Sequence, residues 1–405
     1  MQIHLEKTLD VEVVERQLSE LWRQTSGPLR EDDDFAVLRS RVANLIVYVE
    51  QESSVTDVNG IIAELTAMHP SRVLMLLGEK QKPDRDIQLL AETFCQTEKR
   101  SGRKRLCCEE ITLQASGRFV SELPSAALPL LVPDLTTFLW WQTFLRAESE
   151  SPDRVFEALL RASDRLVIDS AGFLDPHAEL QALTGLFNNQ DYGHVGISDL
   201  NWARLTSWRA LLAGFYDVSA YQKLLAAVDT VRIDYLAPAS PGPSADAAAA
   251  GAAVAPQALL IAGWLASRLG WTLISDRIAS SEDEALVFKF ATARESVAKR
   301  EITLELKRVE HAEGKPGRLV RVELNSNSPN AASFAVARTL DNQHLITEAR
   351  VMKDVHRGRV MPVRNRSAAQ LLGREMEILC NDQIYQEALA VAADMIDRVR
   401  APSGQ

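Results

Sequence analysis

The sequence predicts an α/β N-terminal domain, a largely parallel sheet with helices on both faces, followed by a β-rich α+β C-terminal domain. Three observations carry this. In the first half, continuous apolar runs bounded by turn residues alternate with amphipathic segments, the pattern of strands buried on both faces between covering helices. In the second half, alternating segments separated by EGKPG and NSNSPN read as antiparallel strands. Between them, residues 237–256 (APASPGPSADAAAAGAAVAP) lack bulky side chains and cannot supply a packed core. The expected organisation is therefore a domain over 1–236, a linker or exposed loop over 237–256 and a second domain over 257–405. A chain of 405 residues exceeds the size at which one core usually keeps growing.

In chain order, Val14, Leu18, Leu21 and Trp22 mark a first helix, with further helices expected over Phe35–Tyr48 and Val58–Ala67. His69-Pro70-Ser71 breaks the chain before the apolar run Val73–Leu77, a buried strand. A helix (Asp86–Cys95), a strand (Cys108–Ala115), a helix (Phe119–Leu131) and a strand (Thr136–Trp141) follow. The series continues with a helix (Asp153–Ala162), a strand (Leu166–Asp169) and a helix (Pro176–Asn188). A strand at Thr230–Tyr235 is expected to complete this half. After the helix Gln257–Leu269 come strands over Leu286–Ala291, Ile302–Arg308, Leu319–Leu324, Ser333–Arg338 and His344–Arg350, then two closing helices.

Composition narrows the function. The formal net charge of −10 argues against broad nucleic-acid affinity, which needs a basic field. No segment approaches the roughly 18 apolar residues of a membrane span, and Met1–Glu20 is charged throughout, so a cytoplasmic location is expected. Four cysteines without CxxC or His spacing give no metal site. Neither GxGxxG nor GxxxxGK[ST] occurs, and HExxH and GxSxG are absent too, so no cofactor or catalytic constellation is expected.

The richest segment is SDLNWARLTSWRALLAGFYD (198–217). From Leu200 its apolar residues recur at helical spacing, and Asp199 can cap the first turn. Asn201, Trp202, Arg204, Trp208 and Arg209 are more than packing requires, because Trp and Arg anchor interfaces and bind anions. Asp169 and Ser170 end a predicted strand, where open α/β sheets bind ligands, although either residue could equally cap the next helix. Trp140 and Trp141 close another strand. They fill the core, or one of them lines the strand-end crevice. Adjacent Cys107 and Cys108 read as small apolar residues or as regulatory thiols, and no partner for Cys380 is legible. KRSGRKR (99–105) is a solvated loop, an anionic-partner surface or a phosphate contact, and His69 suits a structural hydrogen bond.

DLNWARLTSWR with LLAGFYD, together with HPSRV (69–73), CCEEITLQASG (107–117), LPLLVPDLTTFLWW (128–141), DRLVIDSAGF (164–173) and AGWLASRLGW (262–271), resembles the glucose-6-phosphate dehydrogenase assembly protein family OpcA of cyanobacteria and actinobacteria. The resemblance implies a non-catalytic assembly factor and allosteric activator, with glucose-6-phosphate dehydrogenase as its partner. It also leaves room for a small phosphorylated effector and for redox control through the cysteines. The alternative reading is a sugar-phosphate or nucleotide-binding α/β enzyme or metabolite sensor, with Asp169, Asp199, Arg204 and Arg209 touching the ligand.

Overall fold

The computed structural model describes residues 2–4, 12, 14–16, 18–20, 36–39, 41–97, 104–145, 153–237, 254–274, 278–279, 285–292, 300–309, 315–327, 331–352, 354–363, 366–378 and 380–400. Leu21, Trp22, residues 99–103 of the basic run and residues 238–253 of the expected linker lie outside these. The chain forms two compact units, each drawn from three stretches. One comprises Met1–Ile168, Asn189–Leu200 and Arg366–Asn381; the other Asp169–Asn188, Asn201–Asn365 and Asp382–Gln405.

The first unit holds a nine-stranded sheet. Its strands are β1 (Gln2–His4), β2 (Ala36–Arg39), β3 (Ala43–Val49), β4 (Ser71–Glu79), β5 (Arg85–Thr97), β6 (Lys104–Ser116), β7 (Thr137–Trp141), β8 (Arg165–Ile168) and β9 (Gly196–Asp199). They run in the order β1-β5-β6-β4-β3-β7-β8-β9, with β2 also beside β6. All pairs from β6 to β9 are parallel, and β5 joins antiparallel. Every residue of β3, β4 and β7 is buried, so both faces of the sheet centre are covered, as the unbroken apolar runs require. The helix Glu52–Thr66 covers most of the expected Val58–Ala67 but begins nearly two turns earlier, while Arg154–Arg161 appears where the periodicity places it, capped by the Asp153 carboxylate on Val155 N–H.

Two expected helices are strands. Phe35–Tyr48 holds β2 and most of β3, and its chance three-to-four spacing is overruled by the run ANLIVYV, which suits a two-faced buried strand. Asp86–Cys95 lies in β5, which pairs along β6 from Arg85 to Thr97; cross-strand pairing decides where local spacing fits either element.

Two neighbouring acids in β6 meet opposite fates. Glu109 is buried but accepts two hydrogen bonds from Arg72 (3.0 and 2.8 Å) and one from Arg41 (2.5 Å). Glu110 is also buried, has one oxygen without a partner among the described residues, and pairs in register with Glu92. Burial, then the charge of Glu92, pushes its carboxyl from 4.5 up to about 7. The folded state therefore holds this proton more tightly than the unfolded chain, and stability falls as pH rises from about 4.5 to about 7. Glu110→Gln is expected to stabilise the protein by about 2–3 kcal/mol at pH 8 and to have little effect near pH 4. Urea titrations of both proteins across that range check this; equal pH slopes would refute it.

The second unit is built on another nine-stranded sheet. Its strands are β10 (Thr230–Leu236), β11 (Trp271–Leu273), β12 (Ile278–Ala279), β13 (Ala285–Thr292), β14 (Glu301–Val309), β15 (Leu319–Ser326), β16 (Ala332–Arg338), β17 (His344–Val351) and β18 (Asp354–Pro362). The order is β11-β13-β14-β10-β15-β16-β17-β18, with β12 on β13. All pairs are antiparallel except β10–β14. The five strands expected after the helix at 257–269 are all present. The strand at Thr230–Tyr235 corrects the expectation: it lies inside this sheet, between β14 and β15, and does not complete the parallel one. Its alternating Val231, Ile233 and Tyr235 suit an antiparallel neighbour as well as a parallel one, so the sequence could not place it. The helices Pro256–Leu269 and Gln383–Arg400 pack against each other in this unit.

Candidate functional site

The expected site residues gather at two places, one in each unit. In the first, the chain passes from β3 through a helix to β4, then returns to the other side of β3 at β7. Such a switch point is where open α/β sheets take nucleotides. Here it is closed by side chains. Tyr48 and Trp141, at the ends of β3 and β7, stack at 4.3 Å and 7°, and Phe156 meets Trp141 edge-on at 4.8 Å. A Cβ on Gly78 would come within 2.6 Å of the Tyr48 hydroxyl, so the packing there is tight. Burial, then Glu50 and Asp153, pushes the Tyr48 phenol up.

The turn after β3 is Glu50-Gln51-Glu52, with no glycine and with an acid in the first helical turn. Lys80 binds Glu50 at 2.9 Å and Asp153 at 2.5 Å. Against burial, which opposes its charge, the hydrogen bonds of Asp153 and Glu50 push the Lys80 ammonium up. A pyrophosphate needs a glycine turn and unencumbered N–H groups at the helix start. These residues do not fit a dinucleotide. Trp140 and Trp141 are both buried, and neither indole N–H has a partner among the described residues.

In the second unit, two motifs distant in sequence converge. The Arg204 guanidinium donates to both carboxylate oxygens of Asp169, at 2.6 and 2.8 Å. Asn201 donates to the Ser170 hydroxyl at 3.0 Å and accepts from Gln257 at 2.7 Å, while the Gln257 carbonyl accepts from Leu319 N–H at 3.1 Å. Ser170, Asn201 and Gln257 are buried, so this relay fixes the starts of three segments with few alternatives. Asp169 also accepts from Ala171 N–H at 3.1 Å, so it caps the short turn after β8 and holds Arg204 at once.

The DLNWARL segment forms a helical turn at Leu200–Arg204 and a helix at Thr206–Tyr216. Trp202 and Trp208 are buried within this unit. The Trp202 indole donates to Asp382 at 2.8 Å and lies 5.5 Å from the Tyr385 ring, while Arg209 stacks over it at 3.4 Å. Asp199 is the buried last residue of β9.

Sequence reasoning missed Gln257, Arg318 and Arg338. Arg338 donates to the Leu319 carbonyl at 3.2 Å and lies 5.9 Å from the Trp208 ring centroid. Its Nη1 is buried with no partner among the described residues. Arg318 stands just before Leu319, its carbonyl accepting from Leu236 N–H at 2.9 Å. Burial, then the charge of Arg204, pushes the Arg318 guanidinium down; burial, then Arg318, pushes Arg338 down to about 10. Arg338 ends an ordinary alternating strand and Arg318 follows a turn, so neither carries a sequence signal.

The other candidates stand apart. Cys108 is a buried free thiol pushed up by burial, which disfavours the reactive thiolate. Cys380 is free and exposed. Cys107 lies in β6 opposite Cys95, with its side chain outside the described residues. No group of three or more His, Cys, Asp or Glu that could hold a metal occurs among the described residues. Among them, no helix is long and apolar enough to cross a membrane.

The N-terminal domain of the family described as glucose-6-phosphate dehydrogenase subunit, OpcA, matches residues 62–185, and its C-terminal domain matches residues 195–389. The chain belongs to the OpcA family. Relatives named OpcA, whose names place them in the OxPP cycle, include one from Synechococcus elongatus, 27% identical over 83% of this chain and 71% of its own length. Another, from Synechocystis sp., is 26% identical over 85% of this chain and 67% of its own.

Among solved structures, a dehydrogenase from Chromobacterium violaceum (11% identity, TM-score 0.46) covers 88% of this chain and 94% of its own. Glucose-6-phosphate 1-dehydrogenase from Mycobacterium avium (10% identity, TM-score 0.47) covers 88% and 92%. At such scores neither likeness bears on function. Within this OpcA member, the DRLVIDSAGF and DLNWARL motifs supply the Asp169–Arg204 and Ser170–Asn201 pairs. HPSRV and CCEEITLQASG supply the Arg72–Glu109 pair.

Proposed function

We propose that this protein is a non-catalytic assembly factor and activator that binds glucose-6-phosphate dehydrogenase. The observation that carries this reading is membership of the OpcA family along both halves of the chain. The acidic, aromatic-filled switch point supports it, since it disfavours a dinucleotide where a dehydrogenase would need one. An activator works by binding the active form of its partner more tightly than the inactive form, and the gain is limited by that difference. A cytoplasmic location suits the role.

Dehydrogenase from the same organism, assayed against substrate concentration with and without this protein, tests the reading. We expect a lower apparent KM and a new co-eluting species by size-exclusion light scattering. Unchanged KM, kcat and oligomeric state would overturn it.

A further inference from the structure

Two partly buried cations of the second unit, Arg318 and Arg338, lie near one another. Asp169 holds Arg204 through two short hydrogen bonds, which fixes that guanidinium in place. No ion pair with a described carboxylate is formed by Arg318 or Arg338. Each is partly shielded from water, and each lies within electrostatic reach of another guanidinium, Arg318 of Arg204 and Arg338 of Arg318. Like charges gathered in a partly desolvated corner destabilise the fold unless something negative joins them.

The backbone holds them together. Arg338 Nε is fixed to the Leu319 carbonyl, the neighbour of Arg318, while Leu319 N–H is fixed to Gln257. With Nε committed, the buried Nη1 of Arg338 remains a donor without an acceptor among the described residues. An unmet buried donor on a cation is satisfied best by an anionic oxygen. Two guanidinium forks carry two positive charges and more donors than one carboxylate can accept. A phosphate group, with up to two negative charges and several terminal oxygens, matches both the charge and the donor geometry.

We propose that Arg318 and Arg338, beside the Asp169–Arg204 pair, form a binding site for a phosphate group, free or carried by a small ester. The site lies wholly in the second unit, and its test needs no dehydrogenase, so it stands or falls apart from the activator reading. The full chain is titrated calorimetrically with inorganic phosphate, against chloride at matched ionic strength.

The expected result is saturable binding, weakened at least tenfold in Arg318→Gln and also weakened in Arg338→Lys, which keeps the charge but loses the fork. In chloride, Arg318→Gln should melt at or above the temperature of the parent protein, because it removes a repelled charge; a merely structural arginine would lower it. Tighter binding of glycerol 3-phosphate than of inorganic phosphate supports an ester ligand, and the reverse order supports the free ion. Phosphate binding no better than chloride, or unaltered by Arg318→Gln, overturns the proposal.

Discussion

Replacing Arg72 by Met should lower the stability of the parallel-sheet unit by about 3–5 kcal/mol, the range for removing one partner of a buried ion pair. Arg72 is 2% exposed and Glu109 0%. Arg72 spends its Nε and one Nη on Glu109, and its other Nη on the Leu130 carbonyl (2.8 Å) and Glu15 (2.7 Å). Met fills much of the volume but leaves a carboxylate in the sheet with less compensation. It also leaves a buried carbonyl short of a donor. Both penalties are desolvation terms that water cannot relieve at this depth. The double variant Arg72→Met with Glu109→Leu should recover a large part of the loss, because exchanging both charges for apolar groups removes the unmet charge itself. Urea denaturation gives the totals, and hydrogen exchange along β4 and β6 localises them. A single-variant loss below about 1 kcal/mol would mean that Arg41 alone compensates Glu109.

That pair also shows what was legible in the sequence. HPSRV and CCEEITLQASG are visible only as separate motifs; their meaning is that Arg72 and Glu109 sit opposite each other in the β4–β6 register. Pairing between strands that are distant in the chain leaves no local trace, and the same reason misplaced β10, whose partners β14 and β15 lie far along the chain. Elements whose burial is itself local were legible: the all-buried β4 and β7, the helix Pro176–Asn188 that begins at its proline, and the alternating β14. At the candidate site, Asp169, Ser170, Asn201 and Arg204 stood out as polar residues at element ends. Their partnership did not, and Arg318 and Arg338 escaped notice because a cation in an alternating strand or after a turn is normally solvated. Only the fold shows that these cations crowd one another.

Gly263→Ala should destabilise the second unit by about 1–3 kcal/mol, the range for overpacking a tight core, although alanine is the better helix former by about 1 kcal/mol. A Cβ at this position would lie 2.1 Å from the Ala388 carbonyl oxygen and 3.0 Å from its carbon. Those atoms belong to the backbone of the facing helix Gln383–Arg400, so no side chain can swing aside and the two helices must separate. Gly185, in the helix Pro176–Asn188, supplies the control: a Cβ added there would meet nothing within 4 Å, and Gly185→Ala should stabilise by up to about 1 kcal/mol. Opposite signs for one chemical change would isolate packing from propensity, and a stabilising Gly263→Ala would refute the close approach. The consequence extends to the cation site. Gln257 lies in the first turn of the Gly263 helix and bridges Asn201 to Leu319, the residue that holds Arg338. Asp382 and Tyr385, at the start of the facing helix, hold Trp202. Forcing the helices apart strains both attachments, so phosphate affinity should fall along with the melting temperature. Lowered stability with undiminished phosphate binding would instead mean that the sheet alone positions Arg318 and Arg338.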